Sequence, residues 1–318
     1  MADLVAGGAG FIGSHLCQRL IDEGRTVICV DNFLTGRRAN VKHLLSSPRF
    51  ELLDMDLIEG VPDIEVERIY HLASPASPPG YARFPIDTMR VNSEGTRHLL
   101  ELAVKTGSRF LYASTSEVYG DPMEHPQRES YRGNVSSTGP RSMYDEAKRF
   151  GEAMTVVYCH SHSVDVRIAR IFNTYGPQSD ANDGRLVPNF VVQALTGRPM
   201  TVYGNGKQTR SLCFVSDLVD GLVRLMQSEA AAGEVVNLGN PAERTVLEYA
   251  EIIRWSAGSN SEIVFGAYAV GDDPQRRCPD LTKARDLLGW EPAIGLQHGL
   301  SQTIEYFRSE IALQECAV

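Results

Sequence analysis

A chain of 318 residues that is 42% hydrophobic and 22% charged can bury a large core and has room for two lobes. Its formal net charge of -9, with no basic stretch, excludes a surface that tracks a phosphate backbone, so nucleic acid is not an expected partner. Six scattered cysteines without Cys-x-x-Cys spacing argue for reduced thiols and against a zinc site, and no apolar run approaches the length of a membrane span. Met1 stands directly before a strand, which leaves no room for a signal peptide. A cytoplasmic protein without a metal and without a membrane partner is expected.

The chain opens with a short apolar strand, Asp3 to Ala6, then Gly7-Gly8-Ala9-Gly10-Phe11-Ile12-Gly13 and a helix from Ser14 to Glu23. Gly7, Gly10 and Gly13 allow a tight turn, a close approach to a pyrophosphate and packing of the helix on its strand; Phe11 and Ile12 belong to the same candidate cofactor turn. A second strand, Thr26 to Val30, ends in Asp31 and Asn32. A carboxylate at that place accepts from a ribose and repels a 2′-phosphate, so NAD is expected rather than NADP. Arg37 and Arg38 read as a solvated first turn of the next helix.

A third strand, Phe50 to Leu53, leads to Asp54-Met55-Asp56, where Asp56 is either an ordinary turn acid or a contact of the adenine. The fourth, Arg68 to Leu72, runs into a loop from Ala73 to Tyr81 that three prolines stiffen beside the cofactor. Leu72 joins the candidate cofactor residues, and His71 reads as a core or supporting histidine. Pro85 to Thr106 reads as one long helix carrying Asn92, a further candidate cofactor contact. Together with the helix that follows Tyr144, its apolar character suggests a two-helix interface and a homodimer.

The organising stretch lies between Ala113 and Lys148. An apolar strand, Arg109 to Ala113, delivers Thr115, Ser116 and Glu117 to the edge of a cleft, and Tyr144 and Lys148 lie four residues apart on one helix face. A phenol is a poor base at neutral pH, and an ammonium one turn away favours its phenolate. A strand from Val166 to Ile171 then delivers Asn173. The expected fold is α/β, a Rossmann-type doubly wound parallel sheet with a smaller, mixed α/β substrate-binding lobe. The two are interleaved: residues 1–175 with 212–240 form the NAD-binding domain, and 176–211 with 241–318 the nucleotide-sugar-binding lobe.

The glycine turn, the hydroxyl cluster and Tyr-x-x-x-Lys together resemble the extended short-chain dehydrogenase/reductases. Longer motifs narrow the likeness. His71-Leu-Ala-Ser-Pro-Ala-Ser-Pro-Pro79, Ser114-Thr-Ser-Glu-Val-Tyr-Gly-Asp-Pro122, Gly139-Pro-Arg-Ser-Met-Tyr-Asp-Glu-Ala-Lys-Arg149, Ala169 to Pro177 and Asp272 to Asp280 resemble the UDP-glucuronic acid decarboxylase (UDP-xylose synthase) family. The resemblance implies oxidation of the sugar at C4 by NAD, with Tyr144 taking the hydroxyl proton, Lys148 supporting it and Thr115 aligning it. Carbon dioxide then leaves the 4-keto acid, Glu117 and Ser116 handle the carboxylate face and the proton for C5, and C4 is reduced again. Glu117 is expected to have a raised pKa beside the substrate carboxylate. The resemblance also places Asp56 at the adenine, Tyr81, Asn173, Arg185, Arg210 and Arg277 at the UDP-glucuronate, and Tyr203 near the uracil.

Departures from the family pattern fall at Arg132 and at Ser136 to Thr138, in the loop over the substrate. Sugar-nucleotide 4,6-dehydratases carry an Asp-Glu pair where this chain has Ser116-Glu117, which removes the acid for a departing C6 hydroxyl. A related NAD-dependent nucleotide-sugar enzyme stays open as the alternative: a 4-keto-pentose or apiose-forming decarboxylase, a 4-epimerase or a 4,6-dehydratase. A non-catalytic NAD-binding scaffold is a further reading, disfavoured by the intact Thr115, Tyr144 and Lys148 set.

Overall fold

The computed structural model describes residues 2–267 and 276–316. The strands in chain order are β1 (Ala2–Ala6), β2 (Thr26–Asp31), β3 (Phe50–Asp54), β4 (Val66–His71), β5 (Arg109–Thr115), β6 (Val166–Ile171), β7 (Thr174–Tyr175), β8 (Met200–Tyr203), β9 (Thr209–Ser211), β10 (Cys213–Phe214), β11 (Val235–Leu238), β12 (Glu243–Thr245) and β13 (Ile263–Gly266). Seven of them form one sheet in the order β11-β6-β5-β4-β1-β2-β3, with every pairing parallel. Helices cover both faces, which is why β1, β2 and β5 read as almost unbroken apolar runs rather than alternating ones. Strands are laid outward from β1 in both directions, so a crevice opens beyond the carboxyl ends of β1 and β4.

Smaller pairings make up the rest: β8 with β13 and β7 with β10 in parallel, and β9 with β12 antiparallel. Helices Leu186–Leu195, Val246–Ser256 and Leu296–Cys316 pack together beside them. Among the described residues no helix is long and apolar enough to cross a membrane.

Two elements differ from the sequence expectation. The helix expected over 85–106 is two helices, Pro85–Arg90 and Thr96–Thr106, joined by a π-turn at Val91–Gly95. The wider turn seats the buried amide of Asn92, which donates to the Thr88 carbonyl (2.8 Å) and Ser74 Oγ (2.9 Å) and accepts from the Tyr112 hydroxyl (2.8 Å). The proline-rich loop, in turn, becomes a helical turn over Pro78–Arg83. Ser77 Oγ caps it by accepting from the Gly80 amide (3.3 Å), and proline suits a first helical position because its missing N–H has no intrahelical partner there.

One further arrangement carries a distant segment to the sheet. Gln127 and residues 278–280 pair as adjacent strands do: the Gln127 amide donates to the Cys278 carbonyl, the Asp280 amide to the Gln127 carbonyl, and the Cys278 amide to Gln127 Oε1, each at 2.9 Å. Asn237 of β11 ties the pair to the sheet, donating to the carbonyls of Gln127 (3.0 Å) and Asp280 (3.2 Å) and accepting from the Tyr119 hydroxyl (2.7 Å). Arg277 is thereby held at the end of β5. Asn237→Ala strands these buried groups and is expected to cost about 2–4 kcal/mol of stability, read as a lower midpoint in urea unfolding at unchanged slope.

Candidate active site

The glycine turn is fixed by contact. A Cβ on Gly7, whose φ is +77°, would lie 2.7 Å from the Ala73 backbone, and one on Gly13 would lie 2.1 Å from the Gly7 carbonyl oxygen. The turn therefore rests directly on the loop after β4 and on its own helix. Asp31 ties it to β2: one carboxylate oxygen accepts from the Ala9 amide (2.9 Å) and the other from the Phe33 amide (2.8 Å). Burial raises the Asp31 pKa, these two amides oppose that, and Asp54 adds to it.

Gly7, Gly10, Asp31, Asn32, Asp56 and Leu72 line one cleft at the carboxyl edge of the sheet, with Met55, Leu57 and Ile58 along its wall. Asn32 donates to Asp56 (3.0 Å). Phe11 and Ile12 begin the helix Phe11–Asp22 half-buried, and Asn92 reaches the cleft edge through its bond to Ser74. Arg38 stands exposed in the first turn of the next helix, as expected, whereas Arg37 is half-buried. Arg37 donates to the Gln178 carbonyl (2.9 Å), Asn40 Oδ1 (3.0 Å) and the Tyr306 hydroxyl (3.0 Å); Arg38 pairs with Asp54 and lies over the Phe33 ring. The glycine cradle and the buried Asp31 fit a dinucleotide without a 2′-phosphate.

Next to this cleft, Tyr144 and Lys148 are buried on one face of the helix Ser142–His162. The Thr115 side chain lies beside the Tyr144 hydroxyl and favours its ionised form, and the Tyr81 ring stacks on the Tyr144 ring at 5.0 Å and 13°. Lys148 Nζ donates to the Ala113 carbonyl (2.8 Å). The protonation states correct the simple Tyr-Lys picture. Burial pushes the Tyr144 phenol above its ordinary range, against the pull of Arg185 and Thr115, while burial lowers Lys148 to about 7. Arg185 also donates to the Ala76 carbonyl (2.6 Å), which joins the proline-rich segment to this site.

Glu117 is held differently from its expectation. Arg141 and Arg277 both donate to its Oε2, Arg277 at 2.9 Å. Burial alone would raise the Glu117 pKa, but Arg277, Arg141 and Arg210 outweigh it and hold the carboxyl below its usual range. Glu117, Arg141, Asp145 and Arg277 line a second cleft of about 310 Å³ together with Asn134 and Ser136. Arg277 is 3% exposed, and its Nε and Nη1 have no partner among the described residues, two buried donors suited to an anion.

Arg141 and Asp145 are the site residues that sequence reasoning passed over, although both stand inside the quoted Gly139 to Arg149 motif; their charge beside Tyr144 was the available signal. Ser116 is buried in the short turn that follows β5. Asn173 follows β6, and its carbonyl accepts from the Cys213 amide (2.9 Å). Among the described residues Tyr203 makes none of the contacts that join Glu117, Tyr144 and the arginines, and it stands exposed on β8. Asp272 to Gln275 of the last motif lie outside the described residues.

A doubly wound sheet with this glycine turn and a Thr, Tyr and Lys set at its carboxyl edge defines an NAD-dependent extended short-chain dehydrogenase/reductase. A family model described as GDP-mannose 4,6 dehydratase matches residues 4–303. The chain is 53% identical over 311 residues to UDP-glucuronic acid decarboxylase 1 of Xenopus tropicalis, covering 98% of this chain and 73% of that one. It is 53% identical over 308 residues to UDP-glucuronic acid decarboxylase 2 of Arabidopsis thaliana, covering 97% and 68%. Among solved structures it is similar to the UDP-glucuronic acid 4-epimerase of Bacillus cereus in complex with UDP-glucuronic acid and NAD, with a TM-score of 0.88 and 27% identity over 98% of this chain and 100% of that one. The chain belongs to the UDP-glucuronic acid decarboxylase family.

The buried lysine gives a signed test. Its amine binds a proton less readily in the folded chain (about 7) than the ordinary 10.5, so its folding cost is full below pH 7 and declines as pH rises toward 10.5. Lys148→Met is expected to raise Tm relative to the parent chain more at about pH 6 than at about pH 9, in paired calorimetric scans, while turnover is lost.

Proposed function

We propose that this protein decarboxylates UDP-glucuronate to UDP-xylose with no net use of NAD. The observation that carries the reading is the meeting of two chemistries at the end of β5: Thr115, Tyr144 and Lys148 on one side, and the arginine-bound Glu117 with the unpartnered donors of Arg277 on the other. NAD, when bound, supplies a reversible two-electron oxidant for C4 of the sugar and a positive ring charge that favours the Tyr144 phenolate. Gly7, Gly10, Phe11, Ile12 and Gly13 would cradle its pyrophosphate, with Asp31, Asn32, Asp56, Leu72 and Asn92 around its adenosine half.

Tyr144 exchanges the proton of the sugar 4-hydroxyl, Thr115 keeps that hydroxyl in line, and Lys148, able to gain or lose a proton near neutrality, passes it onward. Arg277 and Arg141 hold Glu117 as an anion, and Arg277 has donors left for the sugar carboxylate. With C4 as a ketone, the C5–C6 electron pair can pass toward O4, where Tyr144 and Thr115 stabilise the enolate. Tyr81, Asn173, Arg185, Tyr203 and Arg210 are proposed to seat the UDP-sugar. Residues 1–175 with 212–240 would serve the cofactor, and 176–211 with 241–318 the nucleotide sugar.

We further read the protein as a homodimer. Ile86, Met89, Val104, Phe150 and Val157 stand exposed on the helices over 85–106 and Ser142–His162, which pack side by side, and an apolar patch of this kind favours a second copy. Phe150→Asp is expected to halve the mass seen by light scattering. A cytoplasmic setting is our reading of the free thiols at Cys17, Cys29, Cys159, Cys213 and Cys278.

Incubation with UDP-glucuronate and catalytic NAD, followed by proton NMR, is expected to give UDP-xylose without NADH accumulation. NADH rising in step with carbon dioxide would instead mean release of the 4-keto-pentose, and a 4-epimer of the substrate would mean an epimerase. Tyr144→Phe is expected to lower turnover by about a thousandfold or more with NAD binding kept.

A further inference from the structure

Decarboxylation consumes a proton. When the C5–C6 bond of the 4-keto acid breaks, its electron pair enters the C5–C4–O4 enolate, carbon dioxide leaves, and C5 must gain a proton before C4 is reduced. The origin of that proton is a question that rests on the reading above. Glu117 is a poor source, because Arg141 and Arg277 bind the same carboxylate oxygen and stabilise the anion. Asp121 lies at the exposed mouth of the second cleft. Lys148 is directed to the Ala113 carbonyl on the Tyr144 side and is not among the residues that line this cleft.

Asp145 differs from all three. It is 7% exposed and lines the second cleft with Glu117 and Arg277. Its Oδ1 has no partner among the described residues, and Arg141 Nε stands 3.9 Å from its Oδ2, beyond hydrogen-bond reach. The charged groups that act on it come from three directions: Glu117 after β5, Arg141 and Glu146 on its own helix, and Arg277 from the segment paired with Gln127. A buried carboxyl with an open oxygen beside an anion is better accommodated as the neutral acid. Burial, followed by Glu117, raises its pKa to about 7 against the two arginines.

We propose that Asp145 is the proton-holding residue of the decarboxylation site, its carboxylic acid supplying the proton that C5 takes up as carbon dioxide departs. The step balances: the sugar carboxylate and the Asp145 acid become carbon dioxide, a C5–H bond and the Asp145 carboxylate. Solvent then returns one proton through the mouth at Asn134 and Ser136. Repulsion from Glu117 drives that return, so the two carboxyls have divided roles, one a fixed anion and the other a reusable acid.

The test uses the full chain with NAD and UDP-glucuronate. Asp145→Asn keeps the size and polarity of the side chain and removes the proton. Folding is checked by Tm, and NAD binding by fluorescence. The variant is expected to form NADH in a first turnover within about threefold of the parent rate, to accumulate it, and to make UDP-xylose at least about a hundredfold more slowly. The parent kcat is expected to fall as pH rises through neutrality, and this limb should vanish in the variant. An Asp145→Asn enzyme with turnover within about threefold and the parent pH profile overturns the proposal.

If that variant does not fold, Glu117→Gln decides. Removal of the neighbouring anion should move the inflection of the residual rate to lower pH. A parent profile that is flat from about pH 6 to about pH 9, or an inflection that Glu117→Gln leaves in place, overturns the proposal. A parent enzyme that leaves UDP-glucuronate untouched overturns the decarboxylase reading instead, so the two failures are distinct.

Discussion

A single carboxylate, Glu117, accepts from two guanidiniums that lie 24 and 160 residues further along the chain, and their meeting ties the segments that carry them to the end of β5. A buried ion pair is weak evidence for stability, since desolvation offsets much of its attraction, but it is a strong constraint on geometry because either partner alone is an uncompensated buried charge. Arg141 arrives with the start of the Tyr144 helix, so the clamp fixes that helix against the end of β5. Arg277 arrives only because residues 278–280 pair with Gln127, and because the Arg277 carbonyl accepts from Ser211 Oγ (3.0 Å). The end of β5, the start of the Tyr144 helix and the segment around Arg277 are therefore closed around one charge.

The same clamp separates the tasks of neighbouring groups. Thr115, Tyr144 and Lys148 occupy a buried, weakly charged environment in which phenol and amine both lean toward their neutral forms. Two residues beyond Thr115 the environment is dense with guanidinium charge, and a carboxylate is kept ionised. Proton exchange at one carbon and handling of a carboxylate at the next require such opposite surroundings within a few ångströms, and the short turn Ser116–Tyr119 supplies the change.

What could be read from the chain alone divides along the same line between local and distant causes. The glycine turn and Asp31 are patterns within the first β-α-β unit and the Tyr144 and Lys148 spacing a pattern within one helix, so the doubly wound sheet was legible in such local signals. The π-turn at Val91–Gly95 was not, because Asn92 is positioned by Ser74 from the loop after β4 and by Tyr112 from β5. Glu117 was expected to gain a proton and is instead held ionised, since its arginines lie 24 and 160 residues away. Pro78 and Pro79 looked like loop stiffeners and became the first positions of a helix once Ser77 capped it. The candidate roles of Asn173, Arg185 and Tyr203 came from resemblance; of the three, Arg185 has a contact that ties it to the Tyr144 environment.

The position of Arg37 has a consequence at the far end of the chain. Its guanidinium donates to the Gln178 carbonyl, to Asn40 and to the hydroxyl of Tyr306, which belongs to the last helix. Coenzyme choice is usually assigned to the residue at the tip of the second strand. Here the last helix helps to hold a cation close to that strand, because the Tyr306 hydroxyl accepts from Arg37. The seat of this cation beside the glycine turn is thus a product of tertiary closure, since its partners come from residues 40, 178 and 306, and a change confined to the last helix would be felt at the opposite end of the chain.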